Sequence, residues 1–117
     1  MEQFPLVYRS AIVVAAKQPF LDWLNRTDPS HGGMLADLRW DAHLYLVPDF
    51  EEVADIERAI GKYIKQQYAT IFVHELAAWW LDEEVYPKMT YELFNQWFDV
   101  AVHTMVFDMV EGEIEKE

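Results

Sequence analysis

The sequence predicts a single α+β domain, with a small sheet of three or four strands and the element order β-α-β-α-α-α-β. The first observation is composition: 117 residues that are 52% apolar and 15% aromatic can form one packed core. The second is a set of three runs with the residue pattern of strands. The third is apolar residues at helical spacing in the chain between these runs. The helices are therefore expected to pack on at least one face of the sheet.

Three segments have the pattern of strands. Residues 9–15 (RSAIVVA) are apolar on both sides of the predicted strand, which is typical of a central position. Residues 40–47 (WDAHLYLV) alternate between two faces and are followed by Pro48, which ends the strand. Residues 100–109 alternate again and are apolar on both faces. These segments define the predicted sheet.

The first two helices have recognisable beginnings. Pro19 is suited to the first turn of a short helix over 19–26. Asp49 can cap the next helix, and Glu52 three residues later completes an aspartate version of the capping box. The buried side of this second helix is an apolar stripe at i, i+3, i+7 and i+11, namely Val53, Ile56, Ile60 and Ile64.

Two further helices precede the last strand. A bend at 66–68 is expected to separate the second helix from a third over 68–80. Thr90 is a suitable N-cap for a fourth helix over 91–98, with Glu92 near its positive end.

The remaining segments are predicted to lack regular structure. Residues 27–39 carry Asp-Pro and Gly-Gly without periodicity and predict a long loop. Residues 111–117 form an acidic tail that we expect to be frayed. No internal linker divides the chain, so residues 1–117 are assigned to one domain.

Composition excludes several classes of protein. The absence of cysteine excludes disulfides, thiolate metal sites and a thiol nucleophile. The N-terminal residues lack the pattern of a secretory signal, and no apolar run approaches the about 20 residues of a membrane span. We therefore expect a cytoplasmic protein that does not associate with membranes.

The charge is negative and unevenly distributed. The net charge is −12, and the residues from Trp79 onward contribute −8 of it, with ten acids against Lys88 and Lys116. Such a chain is repelled by phosphate backbones, and its basic residues do not cluster. Direct binding of nucleic acid is therefore disfavoured, whereas a basic protein partner is compatible with this charge.

Histidines and carboxylates give little evidence for catalysis. His74-Glu75 begins like the zinc-protease motif HExxH, but position 78 is alanine, so this motif fails and His74 is interpreted as a boundary or surface residue. A two-histidine metal site is conceivable if the strands of His43 and His103 are neighbours, with Asp41 or Asp99 nearby. Hydrogen-bonded sheet histidines are the favoured interpretation. The sequence assigns no catalytic residue and no cofactor, and it favours a protein that is not an enzyme.

The candidate binding surface lies between the third and fourth helices. Trp80 and Tyr86 flank the acidic run Asp82, Glu83 and Glu84. Helical stripes assign most rings of this region to the core, but these two aromatic residues flank the connector and are candidates for exposed anchors in a negative rim.

Several segments together resemble a family of small acidic bacterial proteins of unknown function. The resemblance rests on RSAIVV and KQPFLDWLN (9–14 and 17–25), on LYLVPDFEE (44–52) and on the segment 71–108. This last segment begins with IFVHELAAWW and includes the WFDVAVH junction. It spans nearly the whole chain apart from the predicted loop, and it implies no activity and no site residue. Some members carry the name of a lipid-transport lipoprotein, which this cysteine-free chain does not support.

Three functions are compatible with these observations. The favoured hypothesis is a small cytoplasmic binding or adaptor module that acts through the acidic, aromatic-edged surface on a protein partner. The second is a small enzyme or metal-binding protein around His43 and His103, which requires two of Asp22, His43, Asp99, His103 and Asp108 to converge in a pocket. The third is an acidic mimic of nucleic acid. The sequence does not define an oligomeric state.

Overall fold

The computed structural model describes residues 5–30 and 32–117 and has the predicted mixed α+β architecture. Residues 1–4 of the predicted domain and His31 of the predicted loop lie outside the described residues. In chain order the elements are β1 Leu6–Val7, β2 Ser10–Ala16, α1 Gln18–Thr27, α2 Leu35–Trp40, β3 His43–Val47, α3 Ile56–Ala77, a 3-10 turn Glu83–Val85, α4 Tyr91–Trp97, β4 Phe98–His103 and β5 Val106–Phe107.

The main sheet has three antiparallel strands in the order β3-β2-β4. The strand predicted to be central is central: β2 is bonded to both neighbours. Val14 lies opposite His43 on one side and Val100 on the other. A separate two-stranded sheet joins β1 to β5, so these short strands do not extend the main sheet.

One face of the main sheet forms the core. Ile12 and Val14 of β2 point into a cluster with Phe72 of α3 and Phe94 of α4, and all four are at most 1% exposed. On the opposite face of β3, Leu44 and Leu46 remain 59% and 40% exposed. The sheet is therefore buried mainly from the side where α1, α3 and α4 pack.

The predicted second and third helices form one helix, so this division was wrong. The bend at 66–68 does not occur. Gln66, Gln67 and Tyr68 each have a backbone N–H for the helical hydrogen bond, and their side chains are compatible with a helix. The helix also begins later than predicted. Asp49 accepts from the Glu51 N–H in a local turn, whereas Asp55 accepts from the Arg58 N–H and caps α3.

The predicted loop and the two outer strands also differ in extent. Residues 27–39 include most of α2, in which Asp37 accepts a hydrogen bond from the Met34 N–H. Trp40 ends this helix at 92% exposure and does not begin β3. The predicted strand 100–109 is divided into β4 and β5, because its first part pairs with β2 and its second with β1.

Candidate functional site

The approach of His43 and His103 that the alternative metal site required does not occur. The two histidines lie on β3 and β4, which are separated by β2. His43 is paired with Val14 and His103 with Ala11, and these positions have side chains on opposite faces of the sheet. A site that contains both histidines is therefore excluded by strand order and by register.

The carboxylates proposed to join these histidines also have other partners. Asp22 accepts from the Gln18 amide, and Asp108 accepts from the Val110 N–H. Asp99 forms ion pairs with Arg39 at 2.9 Å and Lys17 at 3.6 Å. These groups do not converge with His43 in one pocket, as the enzyme or metal-site hypothesis around His43 and His103 required.

The structure instead brings together His43, Tyr45, His74 and Glu75. His43 and Tyr45 are alternate residues of β3 and point to the core face, where α3 crosses. The two strand residues meet the consecutive α3 residues His74 and Glu75 near the C-terminal end of the helix. We refer to these four residues as the His-Glu cluster.

A buried carboxylate is the centre of the His-Glu cluster. Glu75 is 7% exposed, and its Oε2 lies 2.6 Å from Nδ1 of His43. The same oxygen accepts a hydrogen bond from the Tyr45 hydroxyl, whose oxygen lies 2.8 Å from Nδ1 of His74. An ionised carboxylate in the interior requires such donors, because an uncompensated buried charge is costly.

The hydrogen bonds define where the protons lie. Burial raises the pKa of Tyr45, and the hydrogen bond and negative charge of Glu75 raise it further, so the phenol keeps its proton. Since that proton points to Glu75, the contact between Tyr45 and His74 requires a proton on Nδ1 of His74. The Nδ1–H of His43 likewise donates to Glu75. Nδ1 of each histidine is therefore a donor in this network, and a neutral ring with that tautomer carries its lone pair on Nε2.

The position of Glu75 is the one feature of the sequence that indicates this cluster. Glu75 follows Phe72 by three residues and Ile71 by four, so it lies on the buried stripe of α3. A carboxylate on such a stripe requires buried partners. The HExxH spacing tests only for a second histidine at position 78 and is blind to the burial of Glu75.

Two cavities meet at the His-Glu cluster. One, of about 450 Å³, is lined by His43 and Glu75 together with residues of β2, α2 and the end of α3, and it includes the carboxylates of Asp37 and Asp41. The other, of about 620 Å³, lies between β3 and α3 and is called here the β3–α3 groove. Its lining is Ala42, His43, Leu44, Tyr45, Leu46, Val47, Tyr63, Gln67, Thr70, Ile71 and His74.

The connector singled out in the sequence is partly anchored to the core. Trp80 and Tyr86 are half-buried, and the Tyr86 hydroxyl donates to the Trp80 carbonyl. Burial raises the pKa of Tyr86, and the charges of Glu83 and Asp82 add to the effect.

The acidic part of the connector faces solvent. Asp82, Glu83 and Glu84 are exposed, and the preceding Leu81 is 83% exposed. The surface available there is therefore a leucine beside three carboxylates, and the two aromatic rings form its base.

Comparison with protein-family models, curated proteins and solved structures finds no match. The family resemblance noted in the sequence stays a prediction. Within the described part of the chain, no helix has the length and apolar character needed to cross a bilayer.

Proposed function

We propose that this protein is a peptide-binding module that receives an extended segment of a partner protein in the β3–α3 groove. The observation that carries the proposal is that a free strand edge lies beside an antiparallel helical wall of similar length. The binding mode is strand addition, in which main-chain hydrogen bonds supply affinity and side-chain pockets supply specificity.

The first wall is the edge of β3. This strand is the last in the order β3-β2-β4, and within the described residues its only partner is β2. Six consecutive residues, 42–47, line the groove. In an antiparallel edge strand, alternate residues direct their N–H and C=O groups away from the sheet, so this wall can pair with an incoming strand.

The second wall is one side of α3. Tyr63, Gln67, Thr70, Ile71 and His74 are spaced as neighbours along a helix face. They span roughly 16 Å, at about 1.5 Å per residue. The six lining residues 42–47 span about 16 Å, at about 3.3 Å per residue. The walls therefore match over the length of a short extended peptide.

Contacts at the two ends show that the walls run antiparallel. Tyr63 packs against Phe50, which follows β3, with ring centroids 5.8 Å apart. At the other end His74 contacts Tyr45, and its ring centroid lies 6.1 Å from that of His43. The groove is thus held at both ends.

The charge of the groove selects its occupant. Its lining contains no Asp, Glu, Lys or Arg among the described residues, although the chain carries 21 acids and nine bases. Uncharged side chains therefore fit within the groove. The net charge of the whole chain, −12, favours a segment that also carries Lys or Arg, because opposite charges accelerate encounter.

The test is selection of ligands from a phage-displayed library of random dodecapeptides, followed by affinity measurement on synthetic peptides. We expect enriched sequences with apolar residues at alternate positions and basic residues at the ends. Gln67→Arg places a long charged side chain in the groove and should weaken binding by about tenfold or more. Gln66→Arg adds the same charge on an exposed α3 position that does not line the groove, and it should retain the affinity.

Equal affinities of the two arginine variants would contradict the proposal. Amide NMR gives an independent answer. Strand addition should shift and protect outward-facing amides of residues 43–47, and a peptide that leaves them unchanged binds elsewhere.

The acidic connector is a second candidate surface for the same class of partner. The observation that favours it is the exposure of Leu81 beside Asp82, Glu83 and Glu84. Neutralisation of the three acids to their amides should weaken a basic peptide that binds there. Neutralisation of Glu113, Glu115 and Glu117 in the exposed tail removes the same charge and is the matched control. If both triple variants lose affinity equally, the effect is one of net charge, and the connector is not the site.

The proposal includes a cytoplasmic location, with an intracellular protein as partner. The cysteine-free sequence supports it, since such a chain does not depend on an oxidising compartment for disulfides. Fractionation of the native host followed by immunodetection tests this placement, and recovery outside the cytoplasm would contradict it.

A further inference from the structure

We propose that His43, His74 and Glu75 bind a divalent transition-metal ion of the Zn²⁺ class. One nitrogen of each imidazole and one carboxylate oxygen lie within 4.8 Å of one another. This inference goes beyond peptide binding and does not depend on it, because it rests on the cluster and not on the groove.

The ligand types select the class of metal. Two imidazoles and one carboxylate form the donor set of many zinc sites with three protein ligands, and they also suit Co²⁺ and Ni²⁺. Ca²⁺ and Mg²⁺ prefer sets composed of oxygen, which two histidines do not provide. The absence of cysteine excludes a thiolate site, so histidine and carboxylate are the remaining strong ligands for zinc.

The distances require only a small contraction. In a tetrahedral zinc site the ligand atoms lie roughly 3.3 Å apart, given metal–ligand distances of about 2.0–2.2 Å. Here the ligand atoms all lie within 4.8 Å of one another, so no pair must close by more than about 1.5 Å. If Nδ1 of His43 is the ligand atom, the metal replaces the proton that Nδ1 now shares with Glu75, and these two atoms move slightly apart. His74 is exposed, so its ring can rotate toward the other two without repacking the core.

The two elements hold the ligands rigidly. Glu75 lies between the core residues Phe72 and Leu76 on α3, both fully buried. His43 extends from β3, which is fixed in register against β2. A site on a regular helix and strand keeps its geometry better than one on loops.

Tyr45 is a positioning residue in this arrangement. Its hydroxyl donates to Glu75 and contacts His74, so it orients one ligand and lies beside another. Such outer-shell partners typically change metal affinity by about 10–100-fold. Tyr45 therefore supplies a hydrogen bond to the ligand set and is not a member of it.

The metal would have a coordination position facing the cavities. Three protein ligands leave one position of a tetrahedral site open, which is typical of sites that exchange water for a further ligand. His43 lines both the β3–α3 groove and the 450 Å³ cavity, so either provides access.

The test is equilibrium dialysis of tag-free protein with Zn²⁺, together with the visible spectrum of the protein with Co²⁺. We expect one equivalent of saturable Zn²⁺ and the intense bands of four-coordinate Co²⁺. His74→Ala should lower the affinity by about tenfold or more, and Zn²⁺ should raise the melting temperature of the wild type but not of this variant. His74 is exposed, so the variant is expected to fold.

His103→Ala is the matched control, because His103 is also exposed and lies on the opposite face of the sheet. It should retain wild-type affinity and stoichiometry. Glu75→Gln keeps the volume but removes the charge, and it should also weaken Zn²⁺ binding. Equal losses for the two alanine variants would show adventitious binding by surface histidines. That result, or the absence of saturable binding to folded wild type, overturns the proposal.

Discussion

Tyr45→Phe removes the hydroxyl that donates a hydrogen bond to the buried carboxylate of Glu75, and the effect on stability can be derived from the structure. Glu75 would retain His43 as a donor but lose the phenol. A hydrogen bond to a charged group contributes about 1.5–3 kcal/mol. The second partner of Tyr45, His74, is exposed, so water can replace the hydroxyl there at little cost. We therefore expect the free energy of unfolding to fall by about 1.5–3 kcal/mol.

The assay is urea denaturation near neutral pH. Tyr63→Phe is the control, since Tyr63 is also half-buried and contributes mainly by packing against Phe50. It should change stability by less than about 0.5 kcal/mol. An unchanged dependence of the unfolding free energy on urea in both variants would show that the midpoints can be compared directly.

A double-mutant cycle with Glu75→Gln assigns the effect to the pair. If Tyr45 stabilises the charge of Glu75, its removal should cost less once the charge is gone, with a coupling energy of about 1 kcal/mol or more. Additivity within about 0.5 kcal/mol would refute the reasoning. Equal costs of the Tyr45 and Tyr63 variants would refute it as well.

Three further substitutions test the core and the connector. Phe72→Ala should lower the unfolding free energy by about 3–5 kcal/mol, because Phe72 is 0% exposed and contacts three aromatic rings. Leu81→Ala, at 83% exposure, should change it by less than about 0.5 kcal/mol in the same thermal or urea assay. The raised pKa of Tyr86 means that the folded state holds this proton more tightly than the unfolded chain. The contribution of this proton to the free energy of unfolding is complete below about pH 10 and is lost as the pH rises above that value. Tyr86→Phe should therefore flatten the alkaline fall in stability. An unchanged fall would contradict the raised pKa.

The architecture of the sheet was accessible from the sequence because its signals are local. The apolar run 9–15 predicted a central strand, and β2 is central. The boundaries of α3 were less accessible, since Asp49 and Asp55 are both competent caps and only packing distinguishes them. The bend expected at 66–68 was inferred from two glutamines and a tyrosine, none of which interrupts a helix.

The His-Glu cluster depends on information that spacing does not contain. His43 and His74 are separated by 31 positions, and they meet because β3 lies at the edge of the sheet beneath α3. The sequence named His43 as a candidate but paired it with His103, on the condition that their two strands were neighbours. Strand order is determined by packing over the whole domain, and the residues of a single strand do not specify it.

The groove and the proposed metal site share His43 and His74, so the two binding events can be linked thermodynamically. A peptide that offers a carboxylate or imidazole to the open coordination position would bind more tightly in the presence of Zn²⁺. Reciprocity then requires the peptide to increase the affinity for Zn²⁺ by the same factor. A peptide without such a group gains no affinity from Zn²⁺, and it competes with Zn²⁺ if the main chain of the peptide displaces His74. The sign of the coupling between peptide and Zn²⁺ therefore reports which end of the β3–α3 groove the peptide occupies. Gln67 lines the groove but is not one of the three ligands, so Gln67→Arg should alter the affinity for peptide without altering the binding of Zn²⁺ alone.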